Sequence, residues 1–182
     1  KDTCNKNTTS IHKNDAPKRP KELNCEVHHF KIKNDEFYVT VGLMNDDPYE
    51  IFVGKNDNNI PKTVKTGKIV KVKRGMYKLV ANEIQMEYII SGNDFDDTVQ
   101  ALNRMISASL RHGVDISFVV HQLEKTEGYL YSYSKALART LKKYIVDGVK
   151  VYGAKCPDCG GENLIRENGC ITCKDCGYSK CG

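Results

Sequence analysis

The cysteines of this chain are concentrated at its C-terminal end. Six of the eight lie between positions 156 and 181 in repeated C-x2-C spacings, and the preceding 155 residues contain only Cys4 and Cys25. Secreted disulfide scaffolds usually spread their cysteines through the fold, whereas a clustered C-x2-C pattern is typical of metal binding or thiol redox chemistry. The sequence shows no secretion signal and no apolar run near the ~20 residues of a membrane span. We therefore predict a soluble, cytoplasmic protein with metal or redox chemistry at this end.

Two of the C-x2-C pairs have the form of zinc knuckles. The stretches "CPDCG" and "CKDCG" place Cys156 with Cys159 and Cys173 with Cys176, and the glycine after each pair lets the backbone turn beneath an ion. A short hairpin segment separates the two stretches. We therefore predict that residues 149–182 form a zinc ribbon with these four thiolates as ligands. Zinc would also fold this tail, because its few large apolar side chains cannot build a core alone.

Two further cysteines, Cys170 and Cys181, exceed the four ligands of a zinc ion. If the second knuckle is the loop between two antiparallel strands, Cys170 and Cys181 are equally distant in sequence from the middle of that loop. They should face each other on adjacent antiparallel strands, with Cα atoms about 4.5–5.5 Å apart. This spacing lies inside the ~4.4–6.8 Å range of disulfides. The first hypothesis is therefore that Cys170 and Cys181 form an exchangeable dithiol.

A second partition of the six cysteines agrees equally well with the spacing. Cys170 and Cys173 form another C-x2-C pair, and if they bind the ion, Cys176 and Cys181 are left as the redox pair. The first partition is favoured because "CKDCG" keeps the knuckle glycine and "CITCK" lacks it. In either case, a surface thiol pair near a zinc site and Lys180 should have a lowered pKa and exchange readily.

The rest of the chain divides into a polar arm and a longer body. Residues 1–24 are polar, contain Pro17 and Pro20, and show no apolar periodicity, which is typical of a linker or arm. From Cys25 onward, apolar and polar residues alternate in short runs such as "EFYVTVGLM" and "GKIVKVKRG", as expected for an antiparallel sheet. We predict an α+β body over residues 25–148.

Helical periodicity follows the predicted strands. Apolar residues recur at spacings of three and four in "FDDTVQALNRMISASL", which predicts a first helix. Asp115 has the position of an N-cap for a second helix, and Ser132 or Ser134 can cap a third helix that ends at Gly148. The predicted order is therefore an antiparallel sheet, about three helices, and then the small zinc ribbon.

Other function classes have weaker support. His28 and His29 are adjacent in a predicted strand, so their side chains point to opposite faces and cannot chelate one ion. The sequence contains no phosphate-binding loop, dinucleotide fingerprint or zinc-protease motif. Residues 150–182 carry five basic and four acidic side chains, and zinc-bound thiolates would make the folded tail slightly negative. Direct nucleic-acid binding, which needs a clustered positive face, is therefore disfavoured. A purely structural interaction module is the remaining alternative.

Five stretches carry a family resemblance in addition to these patterns. They are "KRPKELNCEVHHFKIK", "VGLMNDDPYEIFVG", "LNRMISASLRHGVDISFVVHQLEK", "YSKALARTLKKYIVDG" and the cysteine tail, and they follow one another from about Lys18 to Gly182. In this order they resemble the C-terminal region of adenosylcobalamin-dependent (class II) ribonucleotide reductases. The resemblance implies an oxidoreductase, a ribonucleoside-diphosphate reductase, that makes deoxyribonucleotides for DNA synthesis in an α/β barrel.

The resemblance implies a supporting part for this chain in such an enzyme. The chain is too short to contain the barrel, the radical cysteine, the adenosylcobalamin site or the substrate pocket, so alone it is expected not to be catalytic. The body would be the accessory domain that places the tail near the barrel, on the same or a separate chain. An external thiol reductant would restore the tail after each electron transfer. The tail cysteines that would form this relay are Cys156, Cys159, Cys170, Cys173, Cys176 and Cys181.

Overall fold

The structure, a computed structural model, describes residues 15–91, 95, 97–127, 132–151, 154–167 and 170–181, except the side chains of Asn58 and Cys181. Residues 1–14 of the predicted arm lie outside the described residues. The described elements run in the predicted order, and the α+β class is confirmed. Six strands come first: β1 (Glu22–Ile32), β2 (Asp35–Met44), β3 (Asp47–Lys55), β4 (Thr66–Lys73), β5 (Met76–Ala81) and β6 (Glu87–Ile89). They are followed by α1 (Asp97–Arg111), α2 (Ile116–Glu124), α3 (Tyr133–Leu141), β7 (Leu164–Glu167), β8 (Cys170–Cys173) and β9 (Ser179–Cys181).

The first six strands form one antiparallel sheet in the order β3-β2-β1-β4-β5-β6. A tight turn joins β1 to β2, where Ile32 pairs with Asp35. The next turn, between β2 and β3, uses Asn45 and Asp46, both at positive φ. Asn and Asp tolerate this left-handed conformation better than other side chains that carry a Cβ, and two such residues in succession give the turn twist that suits a hairpin.

The sheet is strongly curled. Phe52 of β3 and Tyr77 of β5 have ring centroids 4.8 Å apart, although three strands separate β3 from β5 in the sheet order. In a flat sheet these two strands would lie about 19 Å apart. The curl encloses a concave apolar core, and its buried members are Cys25, Val27, Tyr38, Ile60, Val64, Ile69, Leu79, Ala81 and Ile90.

The three helices pack on the opposite, convex face of the sheet. Alternate residues of β2 and β3, such as Val39 and Ile51, meet the apolar faces of the helices there. Asp115 caps α2 by accepting a hydrogen bond from the Ser117 N–H. Of the two predicted caps for α3, the structure uses Ser132, whose hydroxyl accepts from Lys135. No described helix has the combination of length and apolarity required to cross a bilayer.

A buried ion pair holds part of the predicted arm against the body. Glu50 on β3 is fully buried, and its carboxylate accepts hydrogen bonds from Arg19 (Nη2–Oε1, 2.7 Å) and from Arg111 at the end of α1. The Tyr49 hydroxyl also donates to the Pro17 carbonyl (2.7 Å). β1 begins at Glu22, inside the segment predicted as arm. Residues just before β1 are thus part of the packed structure.

The tail forms a second, three-stranded antiparallel sheet in the order β7-β8-β9. The chain leaving the body pairs with the edge of this sheet before it reaches the first knuckle. The Gly148 N–H donates to the Arg166 carbonyl (2.6 Å), and the Val151 N–H donates to the Leu164 carbonyl (2.7 Å). Residues 148–151 are therefore attached to the edge of the ribbon through an isolated bridge between Lys150 and Ile165.

Candidate metal centre

Four cysteines of the tail converge on one point. Sulfur atoms of Cys156, Cys159, Cys173 and Cys176 all lie within 4.8 Å of one another. The Sγ–Sγ distance is 3.5 Å between Cys156 and Cys176 and 3.7 Å between Cys159 and Cys173. A zinc ion with four thiolates at ~2.3 Å in tetrahedral geometry requires sulfurs about 3.8 Å apart. The donor set and its spacing therefore fit zinc, and these are the four residues predicted as its ligands.

The two knuckles have the same backbone geometry. In the first, the Cys156 N–H donates to the Gly161 carbonyl and the Gly160 N–H donates back to the Cys156 carbonyl, both at 2.8 Å. In the second, Cys173 and Gly177 repeat these bonds at 2.7 and 3.0 Å, with the Tyr178 carbonyl as the first acceptor. Gly160 and Gly177 adopt φ of 72° and 80°, which glycine adopts at no steric cost. The glycine after each C-x2-C pair is therefore required by the turn.

Within each knuckle, one sulfur faces the interior and the other faces solvent. Cys156 and Cys173 are buried, with 2% and 1% of their surface exposed, whereas Cys159 and Cys176 are exposed. The buried pair packs with Leu164 in a core of three buried residues. So small a core cannot fold a segment of this length, and a bound metal ion commonly supplies the missing free energy.

A side chain of the second knuckle also reaches the first. A Cβ added at Gly161 would lie 2.4 Å from Asp175 Oδ2, so only glycine leaves room for that carboxylate. Asn163 donates to the other oxygen of Asp175 (3.1 Å), and the Lys174 N–H donates to the Asn163 carbonyl (2.9 Å). Asp175 thus holds the knuckles together beside the sulfurs. The sequence assigns it no role, and its position inside "CKDC" is the one signal that would have indicated it.

The thiols of the cluster differ in their readiness to ionise. Burial opposes ionisation of Cys156, but the backbone N–H groups of Cys159 and Asp158 and the Cys176 thiol together lower the pKa of Cys156 to about 7. At Cys176, the Tyr178 N–H favours the thiolate, yet burial and the neighbouring cysteines outweigh it and raise the pKa to about 12. The first thiolate therefore forms easily, whereas a complete set of thiolates needs a cation.

Zinc binding at this cluster should weaken as the pH falls. The ion must displace the proton of Cys176 over the whole neutral range, and below pH 7 it must also displace the proton of Cys156. Each displaced proton lowers the apparent affinity about tenfold per pH unit. We expect competition with a chromophoric chelator between pH 5.5 and 8 to show at least this slope, with protons released into weak buffer. An affinity that stays constant over this range would contradict the assignment.

Among the described side chains, those of Cys170 and Cys25 do not belong to the four-sulfur cluster. Cys170 pairs with Cys181 in the backbone register of β8 and β9. The sequence predicts this pairing, because the two residues are equally distant from the middle of the second knuckle. Cys170 is disulfide-bonded, whereas the side chain of Cys181 lies outside the described part of the structure. The redox role of this pair, and of the rival pair Cys176 and Cys181, stays a prediction. Cys25 lies in the concave core of the body, where burial raises its pKa to about 12.

His28 and His29, which the sequence excludes as ligands of one ion, do not belong to the four-sulfur cluster either. His28 and His29 lie on β1 and make separate contacts, His28 with Tyr144 and His29 with the Ile60 carbonyl. Their side chains point to opposite faces of the sheet, as the register of β1 with β2 requires.

Comparison with known proteins identifies the body. A family model described as the NrdJ homologue C-terminal domain matches residues 23–146, which is more than half of the chain. The matched range covers the curled sheet and the three helices and stops before the metal centre. No curated protein and no solved structure matches the chain. The chain therefore belongs to the family of NrdJ homologue C-terminal domains and is related to the class II ribonucleotide reductase NrdJ.

Proposed function

We propose that this chain is the C-terminal portion of a vitamin B12-dependent ribonucleoside-diphosphate reductase, and that its tail binds zinc and relays electrons to an active site elsewhere. The observation that carries the proposal is the combination of an NrdJ-related body with a tail whose four sulfurs have the spacing of a zinc site. Two further cysteines, Cys170 and Cys181, occupy paired backbone positions in that tail. Adenosylcobalamin would be bound by the catalytic barrel, as the family resemblance implies.

The relay consists of two thiol–disulfide exchanges. One thiolate of the reduced pair attacks the active-site disulfide and forms a mixed disulfide, and one active-site sulfur leaves as a thiolate. The second thiolate of the pair then attacks the mixed disulfide, which frees the other active-site thiol and leaves the pair oxidised. Two electrons and two protons pass to the active site. An external dithiol reductant returns them to the tail by the same chemistry.

In this scheme zinc has a structural role. Bound to Cys156, Cys159, Cys173 and Cys176, it holds β8 and β9 in the register that brings the backbones of Cys170 and Cys181 together. The catalytic barrel and the external reductant are the partners that the scheme requires. The body, with its own apolar cores on both faces of the sheet, supplies a rigid base from which the tail can reach the barrel.

The test combines zinc content with thiol titration in the oxidised and reduced protein. We expect one zinc per chain in the wild type, in Cys170→Ser and in Cys181→Ser. We also expect two thiols that titrate reversibly only when both residues are present. Loss of zinc in Cys170→Ser would instead favour Cys176 and Cys181 as the redox pair. If no thiol pair titrates reversibly, the relay is wrong and the tail is a structural module.

A further inference from the structure

The body contains a second candidate site, a cleft of about 320 Å³ whose lining residues all belong to the body. It opens between the ends of β1 and β2, the loop before β4, and the 3₁₀ turn that follows α3. Basic side chains from all of these segments except β2 line it. We call it the cationic cleft, and its basic members are His28, His29, Lys31, Lys62, Lys65 and Lys143.

Most of this positive charge is not neutralised. Lys62 forms an ion pair with Glu36 (2.8 Å), the one carboxylate that lines the cleft. Among the described residues, Lys31, Lys65 and Lys143 form no ion pair. Elsewhere on the body, some lysines have a carboxylate partner, such as Lys55, Lys78 and Lys142, and others have none. What distinguishes the cleft is that three unpaired ammonium groups from three separate segments converge on it.

A hydrogen-bonded chain fixes one side of the cleft. The Tyr144 hydroxyl donates to Glu26 Oε2 (2.8 Å) and lies 2.6 Å from His28 Nε2. This chain anchors the 3₁₀ turn onto β1. Lys143, the residue before Tyr144, then has its Nζ 3.5 Å from His28 Nδ1. The anchored turn thus places Lys143 at the cleft.

The histidines of the cleft respond to its positive field. Burial lowers the pKa of His28 and Lys143 lowers it further, while the Glu26 carboxylate, 3.4 Å from His28 Nε2, opposes the shift. Burial also lowers the pKa of His29, where the hydrogen bond to the Ile60 carbonyl opposes the shift while Lys65 and Lys62 add to it. A negative charge that enters the cleft should raise both pKa values, so the two imidazoles report its arrival.

We propose that the cationic cleft binds the oligophosphate group of a small ligand such as a nucleoside diphosphate. Lysine ammonium groups are compact charges suited to phosphate oxygens, and three of them can balance the two to three negative charges of a diphosphate. The volume lies at the lower end of the range for small-molecule sites. A single compact cleft also differs from the extended basic stripe that a nucleic acid requires. The inference is independent of the zinc and redox chemistry proposed for the tail.

The test is a titration of the full chain with inorganic pyrophosphate at low salt. Binding is followed by the NMR signals of the His28 and His29 imidazoles and by calorimetry. The double variant Lys65→Gln/Lys143→Gln should weaken binding about tenfold or more, because it removes two unpaired cations next to the ligand. The matched control, Lys71→Gln/Lys73→Gln, changes the net charge equally at exposed positions near the far end of β4. It should bind like the wild type, and zinc content should be unchanged in both variants.

Three further ligands distinguish binding of the phosphate group from binding of the nucleoside and from binding of a nucleic acid. A nucleoside diphosphate should bind at least as tightly as pyrophosphate, and the nucleoside alone should not bind. Raising the ionic strength should weaken the interaction, since screening acts on these exposed charges. The proposal is overturned if pyrophosphate leaves both histidine signals unchanged, or if the two double variants lose affinity equally. An oligonucleotide that binds more tightly and is not displaced by pyrophosphate would also overturn it.

Discussion

Cys173→Ser is expected to abolish stoichiometric zinc binding and to unfold the tail while the body stays folded. Cys173 is 1% exposed, belongs to the three-residue core of the ribbon and pairs with Leu164 across β7 and β8. A serine hydroxyl does not supply the thiolate that the fourth coordination position needs. Because the folding free energy of such a small module comes largely from its metal, losing one ligand should remove both together.

The measurement is zinc per chain by elemental analysis, together with amide NMR spectra of the tail and the body. Signals of residues 154–181 should collapse to unfolded positions, while those of the curled sheet remain. Cys170→Ser is the matched control, because it changes a neighbouring cysteine of β8 that lies outside the four-sulfur cluster. A Cys173→Ser protein that keeps one tightly bound zinc would refute the assigned ligand set.

Glu50→Gln is expected to destabilise the body by about 3–5 kcal/mol. The Glu50 carboxylate is fully buried, and the Arg19 side chain that binds it is only 9% exposed. Arg111 binds the second oxygen from α1. The neutral amide leaves both guanidinium groups without a compensating charge, and one of its two polar ends is a donor that faces other donors. Removing one partner of a buried ion pair therefore costs far more than the pair itself contributes.

Urea unfolding measures this loss through the shift of the midpoint at constant slope. The control is Glu87→Gln, which breaks the exposed ion pair with Lys78 (2.7 Å) and should cost no more than about 1 kcal/mol. Because Arg19 lies in the segment that precedes β1, Glu50→Gln should also expose that segment to limited proteolysis. Equal unfolding midpoints for the two variants would show that the buried pair contributes little.

Both candidate sites lie close to strands and turns that the sequence pattern predicts. The pattern nevertheless predicts only the four-cysteine site and not the cationic cleft. The candidate metal centre is local in sequence, since its four cysteines come from two C-x2-C turns whose geometry depends on a glycine after each. The cationic cleft draws Lys31, Lys65 and Lys143 from segments far apart in the chain. No spacing rule relates these lysines, and each of them alone looks like an ordinary surface residue.

Local patterns also account for much of the body. Alternation predicts the strands, the three-and-four spacing predicts α1, and the caps at Asp115 and Ser132 are side-chain contacts over two or three residues. The curl of the sheet follows no such pattern. It places Phe52 against Tyr77 and depends on how all six strands twist and pack together. The ion pair between Arg19 and Glu50 joins residues 31 positions apart, so the spacing of apolar residues does not predict it either.

The sequence by itself thus determined the order of strands and helices, the α+β class and the four sulfurs of the metal centre. These properties depend on interactions between residues within a turn, a strand or a hairpin. Only the tertiary structure decided how far the sheet curls, that Glu50 is buried between two arginines, and that three unpaired lysines share one cleft. These features arise from packing and electrostatics between distant segments, which become neighbours only after the chain has folded.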